Sequence, residues 1–379
     1  MPTAAYDVIA CGHLCLDLLP ELHNLPLTAF AAAGKTFEIG AVVAATGGSV
    51  ANTGQALHIL GAEAGFRVGL MSNVGDDLIG TLIIAALNAR DPALSALITV
   101  KRGVASSSTL IMSPENRDRL FLYNPGPNRT FGVADVDFEV VGRSRLFHLG
   151  YPTILPHLLG DDGDELCDIF RCAHTAGCVT ALDTSMPDID SPGGRANWPR
   201  VLERTLPYVD IFVPSAEESI LMLRRADYEA WGRNVQPHLT LDYVRVLADE
   251  LLAMGVAVAG FKLGAFGLYL RTAPDQARLT RLTARLSLDP AAWAGYEGYH
   301  PAFSVDVAGT TGAGDSAYAA LLIALLRSLD PDAALRMACA AGACNVEAID
   351  AVSGLRSWSA IEARLAAGWA MRPERLLGA

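Results

Sequence analysis

The chain lacks the patterns that would mark a transition-metal site or a serine hydrolase. Its seven cysteines, an odd number, contain no Cys-x-x-Cys. Neither a disulfide framework nor a zinc knuckle is suggested, and most sit in apolar runs, as reduced thiols of a cytosolic protein do. The eight histidines show no His-x-x-x-His spacing and no clustering with cysteine, which argues against a transition-metal site. No Gly-x-Ser-x-Gly elbow occurs. Runs of basic residues are missing too, and the net charge is −12. A protein that grips nucleic acid by its phosphates needs the opposite balance. Polar residues interrupt every apolar run before membrane-spanning length, and Met1–Tyr6 has no basic n-region. The sequence therefore predicts no transmembrane helix, no signal peptide and a cytoplasmic location. Internal repeats and low-complexity segments are absent as well.

What is present is enough apolar material for a sizeable core: 51% of 379 residues. Short apolar runs read as strands at Tyr6–Gly12, Phe66–Ser72, Arg145–Leu149, Val179–Asp183, Tyr208–Val213 and Val256–Leu263. Between them, helical spacing covers Ser49–Leu60, Asp77–Asn88, Glu165–Thr175, Ala216–Arg224 and Tyr243–Met254. That alternation predicts an α/β fold with a mainly parallel sheet covered on both faces, in one domain over 1–379. Two stretches break the rhythm. Residues 18–45, and 104–125 with its alternating Ser106–Tyr123, are expected to form a small β lid. Residues 272–302 read as an irregular insertion, a decorated surface hairpin.

Gly309-Thr310-Thr311-Gly312-Ala313-Gly314-Asp315 carries the most chemistry. Val305 and Val307 precede it and the apolar run Ala317–Leu326 follows, which reads as strand, turn and helix. Helix starts expose unpaired N–H groups with positive partial charge, and glycines let an anionic oxygen approach them. Three readings fit. The glycines could simply serve a corner. Gly312-x-Gly314-x-x-Ala317 also satisfies a degenerate dinucleotide fingerprint, but that fingerprint belongs in a first βαβ unit, and Asp315 would repel a pyrophosphate. In the third reading the amides of Gly312, Ala313 and Gly314 form an anion hole, with Asp315 as the base of a phosphoryl transfer.

Thr46-Gly47-Gly48-Ser49-Val50-Ala51-Asn52 is a second glycine-rich helix entry, where a ligand could touch the backbone and Asn52 offers both donor and acceptor. Asp17 follows the first strand, where α/β proteins bind ligands. Gly34-Lys35-Thr36 lacks the leading glycine of a P-loop, since Ala29 stands there, and no strand leads into it.

The early Gly-Gly-x-x-Ala-Asn and the late Gly-Ala-Gly-Asp, in this order, resemble the two signatures of the ribokinase-like carbohydrate kinases, the phosphofructokinase-B type. Gly12 with Asp17, Gly75-Asp76-Asp77-x-x-Gly80, Gly126-Pro127-Asn128 and Lys262-Leu-Gly264-Ala-Phe-Gly267 fall in sequence, so the resemblance spans roughly 6 to 360. It implies a ribokinase-like three-layer fold and an ATP-dependent kinase of sugars or related alcohols and nucleosides. Carried over by position, Asp315 is the base and Gly312, Ala313 and Gly314 hold the phosphoryl group. Asp17, Gly47, Gly48 and Asn52 bind the acceptor. Lys262, Gly264, Gly267 and Asn345 lie on the nucleotide side, and Glu218 serves Mg²⁺ through water.

The departures from the family pattern are informative. Ser215 replaces the Asn of an Asn-x-x-Glu motif, leaving Glu218. Gly309 stands where the family often has an Asp that helps bind a monovalent cation, which counts against potassium activation. Ser49 replaces a ribokinase Lys, and the substrate Glu of ribokinases is missing near His148-Leu149-Gly150-Tyr151, so ribose is not the favoured acceptor. The expected substrates are ATP and a sugar or sugar acid, with Arg119 and Tyr123 of the lid tuning the acceptor. A homodimer through the lid would fit its exposed strands. A nucleoside kinase of the same fold and a non-catalytic sugar-binding regulator are the alternatives.

Overall fold

Val8 and Ala10 of the first strand enter one apolar core, and Ile9 and Cys11 enter another. The same split recurs at Leu146 against Phe147 and Leu149, and at Val258 against Ala259 and Phe261. Strands apolar on both sides must be covered on both sides, which is why these runs read as continuous rather than alternating. The computed structural model describes residues 5–22, 25, 34–113 and 120–378. Among them the strands are β1 (Tyr6–Gly12), β2 (Cys15–Pro20), β3 (Val42–Gly47), β4 (Val68–Gly75), β5 (Leu97–Lys101), β6 (Ser108–Met112), β7 (Leu120–Asn124), β8 (Ser144–Gly150), β9 (Val179–Leu182), β10 (Ile211–Phe212), β11 (Val258–Lys262), β12 (Leu268–Thr272) and β13 (Glu297–His300).

The main sheet runs β13-β12-β11-β10-β9-β8-β1-β4-β5. It is parallel except where β12 pairs antiparallel with β11 and β13. From β1 the chain first moves outward to β4 and β5. It then returns to the other side of β1 and builds β8 to β13. Helices Ser49–Gly61 and Leu78–Arg90 feed the first core, whereas Asp164–Thr175, Trp198–Thr205 and Leu241–Met254 feed the second. The direction of winding therefore reverses between β1 and β8. In such sheets the crevice at the carboxyl ends of the two strands is where ligands bind. Gly12 and Gly150 pair at that end. Gly12 has φ +114°, and a β-carbon there would lie 2.1 Å from the Gly150 carbonyl oxygen, so only glycine lets the two strand ends close.

A second sheet, β3-β2-β6-β7, stands apart from the first. It is formed from the described parts of the two segments expected as a lid. Its outer strands leave Val43 58% and Phe121 56% exposed. Residues 23–24, 26–33 and 114–119 lie outside the described residues, so Arg119 does as well.

The segment 272–302 corrects the sequence expectation. It is not a surface hairpin but a helix, Gln276–Leu286, and a short turn of helix between two strands of the main sheet. Leu279, Leu282 and Leu286 share one face and are fully buried with Trp293. The many Arg and Ala residues between them hid that apolar stripe. The expected strand Tyr208–Val213 shortens to Ile211–Phe212, because Leu206–Tyr208 closes a helical turn. Among the described residues no helix is long and apolar enough to cross a membrane.

Candidate active site

Asp315 sits in the first turn of helix Ala313–Leu326 and is 5% exposed. The turn before it depends on Gly312, which has φ +74° and whose β-carbon would lie 2.2 Å from the Ala351 carbonyl oxygen. A helix of this length leaves its first amides without intrahelical acceptors. The Ala313 N–H makes a long turn bond of 3.4 Å to the Thr310 carbonyl. Gly314 lies against Lys262, whose Nζ would be 3.5 Å from a β-carbon at that position.

The two glycine-rich helix starts meet through Asp315. The Thr53 hydroxyl donates to Oδ1 at 2.8 Å and the Asn52 amide donates to Oδ2 at 3.3 Å. Tyr151, just beyond β8, also donates its hydroxyl to Oδ1. Residues more than 260 apart in sequence are thus in contact, at the switch point that the topology marks.

A cavity of about 470 Å³ opens on one side of Asp315. Gly312, Ala313, Gly314, Asp315, Lys262, Gly264, Gly267 and Glu218 line it, together with Tyr151, Phe303 and Val346. Lys262 is not a solvated surface lysine. Its Nζ pairs with Asp183, and the two side chains are 13% and 1% exposed. Burial pushes Asp183 up, the Glu218 and Asp315 carboxylates add to that, and Lys262 opposes it. Burial pulls Lys262 down, but Asp183, Glu218 and Asp315 outweigh it, so the ammonium is held above its ordinary value.

Glu218 and Ser215 form a capping box on helix Ala216–Leu223: the Ser215 hydroxyl accepts from the Glu218 N–H at 3.1 Å, and Oε2 of Glu218 accepts from the Ser215 N–H at 3.0 Å. Thr184 donates to the same Oε2 at 2.8 Å. The serine that replaces the family's asparagine therefore still fixes Glu218. Both bonds fall on one oxygen of a side chain that lines the cavity, which suits a carboxylate reaching Mg²⁺ through water. Among the described residues no group of three or more His, Cys, Asp or Glu side chains could hold a metal by itself. A magnesium ion here would keep most of its waters and lean on substrate phosphates, as Mg²⁺ commonly does. At Gly309 a β-carbon would come within 3.0 Å of Ile349 and Ala348 backbone atoms, so an aspartate would not fit without a shift.

Asp17, Gly47, Gly48 and Asn52 do not line this cavity. They form a second group beyond Asp315. The Asp17 carboxylate lies against Gly47, where a β-carbon would be 2.2 Å from Oδ2. Burial raises the Asp17 carboxyl above its ordinary value, while bonds from Cys15 and Thr109 pull it back. Gly48 has φ +87° and a β-carbon there would strike His13. His13 in turn contacts Tyr123 of β7, with Nε2 3.1 Å from the phenol oxygen.

Asn345 does not line the cavity either. It is fully buried and donates to the Thr311 carbonyl at 2.9 Å, so it braces the Gly309–Asp315 loop; Cys339, Gly342, Ala343 and Val346 of its neighbourhood line the cavity instead. Sequence reasoning missed Tyr151, Thr53, Asp183 and His13. Asp183 had a readable signal, the same one used for Asp17: a carboxylate just past a strand end. Thr53 adjoined a residue already chosen. For Tyr151 the signal was its segment, His148-Leu149-Gly150-Tyr151, near which ribokinases carry a substrate Glu.

The profile of the pfkB family carbohydrate kinases matches residues 7–358. Fructokinase-2 of Zea mays is 23% identical over 327 residues, covering 83% of this chain and 79% of that protein. The structure of Arabidopsis thaliana ribokinase complexed with ribose and ATP superimposes with a TM-score of 0.69 at 17% identity, over 95% of this chain and 99% of that one. A putative ribokinase II from E. coli in complex with ATP and Mg²⁺ gives 0.67 at 20% identity, over 96% and 99%.

Proposed function

This chain belongs to the pfkB family of carbohydrate kinases, and we propose that it transfers the γ-phosphate of ATP to a hydroxyl of a sugar or sugar acid with Asp315 as general base. Family membership makes it an ATP-dependent phosphotransferase acting on sugars. The observation that carries the finer reading is the position of Asp315. It is a buried carboxylate beside glycine amides at a helix start, and Asn52 and Thr53 of the second glycine-rich motif bond to it.

In this reading the nucleotide occupies the cavity lined by Gly264, Gly267 and Phe303. Its terminal phosphate meets the amides of Gly312, Ala313 and Gly314 and the Lys262 ammonium. The acceptor lies on the other side of Asp315, against Asp17, Gly47, Gly48 and Asn52. As the acceptor oxygen bonds to phosphorus, its proton passes to Asp315, and the bond to the leaving ADP breaks in line. The amides stabilise charge on the equatorial oxygens without reorganising. Magnesium, held through water by Glu218, would neutralise phosphate charge. The β2-β3-β6-β7 sheet would close over the acceptor and exclude water.

An ADP-release assay across a panel of sugars, sugar acids and nucleosides tests this, with Asp315→Asn as control. Turnover with a sugar that Asp315→Asn abolishes while sugar binding persists is the expected result. Turnover unchanged by that substitution removes Asp315 from its role. One observation favours a nucleoside acceptor as the second reading: Tyr123, His13 and Tyr151 form an aromatic row leading to the base, with the last two rings 6.4 Å apart and 29° from parallel. Preference for nucleosides in the same panel would select it. Pairing of two chains through the exposed β3 and β7 edges is also part of this reading, and sedimentation of a Phe121→Lys variant as a monomer beside a dimeric parent would support it.

A further inference from the structure

Asp315 has two oxygens, and the structure treats them differently. Oδ1 accepts two hydroxyl donors, from Thr53 at 2.8 Å and from Tyr151. Among the described residues Oδ2 accepts the Asn52 amide alone, at the longer distance of 3.3 Å. A carboxylate oxygen has room for about two donors. Oδ1 is therefore filled and Oδ2 is not. We propose that Tyr151 is a positioning residue for the base: with Thr53 it pins Oδ1 of Asp315, so that Oδ2 alone takes the proton of the acceptor hydroxyl. This rests on Asp315 being the base.

Tyr151 is built for the task. It follows Gly150, whose pairing with Gly12 closes the switch point. Tyr151 itself lines the cavity beside Asp315. The ring is flanked by His13, which also contacts lid residue Tyr123, so its position is fixed from the acceptor side. Burial, with the Asp315 and Asp183 charges, raises the phenol well above its ordinary range, so it remains a donor at any working pH. Tyr151 and Thr53 thus keep Oδ1 engaged and the carboxylate aimed. The acceptor's O–H proton moves to Oδ2 while its oxygen bonds to phosphorus, and the electron pair of the breaking P–O bond leaves with ADP.

Lys262 stands among the Asp183, Glu218 and Asp315 carboxylates. His13, which flanks Tyr151, is held neutral by burial, with its pKa near 3. Burial pushes the Asp183 carboxyl up, against the pull of Lys262.

The test is the separate measurement of kcat and of KM for ATP and acceptor in Tyr151→Phe and Thr53→Val, with Thr53→Ser as the donor-retaining partner. Each loss of a donor to a charged group should lower kcat about tenfold to a hundredfold. The KM for ATP should not change, and Thr53→Ser should bring kcat back toward the parent's value. Should Tyr151→Phe fail to fold, the Thr53 pair still decides the question of the pinned oxygen. A kcat that stays at the parent's value in both donor-deleting variants overturns the proposal, as does a fall in kcat that only tracks the loss of folded protein. Asp315→Asn separates the two levels. If it is inactive while Tyr151→Phe and Thr53→Val behave as the parent, this proposal alone fails. If Asp315→Asn keeps turnover, the base reading fails and takes this proposal with it.

Discussion

Lys262 reaches both oxygens of Asp183, with Nζ 2.7 Å from Oδ1 and 2.8 Å from Oδ2. The contact exists because β11 runs on past β10. The Lys262 N–H donates to the Pro214 carbonyl at 2.9 Å, which sets the side chain beside Glu218 and opposite the end of β9. One cation thereby faces Asp183, Glu218 and Asp315. Removing it would leave a buried carboxylate unpaired among others of its own sign. Lys262→Met is expected to destabilise the fold by about 3–5 kcal/mol in urea unfolding. Adding Asp183→Asn should return more than half of that loss, since the unpaired charge is then gone. A double variant as unstable as the single one would show that the cost is lost packing and not the orphaned charge.

Gly47 and Asp17 offer a probe of the acceptor side alone. A β-carbon on Gly47 would overlap the Asp17 carboxylate, yet Gly47 lies outside the nucleotide cavity. Gly47→Ala should turn Asp17 away and raise the KM for whichever acceptor the panel identifies by about tenfold to a hundredfold, the cost of a misplacement near 1 Å. The KM for ATP should hold. Parallel rises in both constants, or no rise in either, would take Asp17 out of acceptor binding.

The sequence carried the fold well where side-chain period and turn chemistry agree. β1 has the expected bounds, and the helix after Gly48 and the helix after Gly312 start at their glycines. It carried less where local signals compete. In 272–302, Arg and Ala between Leu279, Leu282 and Leu286 masked a helix face that only the neighbouring core makes apolar. The site was legible through backbone requirements, since glycine motifs announce where a ligand or a second strand must come close. It was opaque for side chains whose role comes from tertiary contact. The contact of Tyr151 with the base shows only once Asp315 is placed opposite it. The resemblance puts Asn345 on the nucleotide side, but its amide donates to the Thr311 carbonyl, a partner 34 residues away that no local pattern reveals.

His148 gives the fold a titratable weak point whose sign can be worked out. The ring is fully buried in β8, 5.2 Å from the Tyr318 ring centroid. Burial, with Lys262 nearby, lowers its pKa from the ordinary 6.5 to about 3. Between those values the unfolded chain binds the proton and the folded chain does not, so stability present above 6.5 is lost as the pH falls toward 3. The slope contributed is about 1.4 kcal/mol per pH unit. His13 contributes in the same direction. Asp17, Asp183 and Asp210, which burial raises, act the other way, because the folded chain takes up their protons first as the pH falls. The parent's curve is therefore a composite, and the informative quantity is a difference. His148→Leu removes one term and leaves the others. Its urea-unfolding stability should fall less steeply than the parent's on acidification, by about 1.4 kcal/mol per unit through the region below 6.5. Parallel curves for parent and variant would mean that His148 is protonated in the folded chain, and its neutral, buried state would then be wrong.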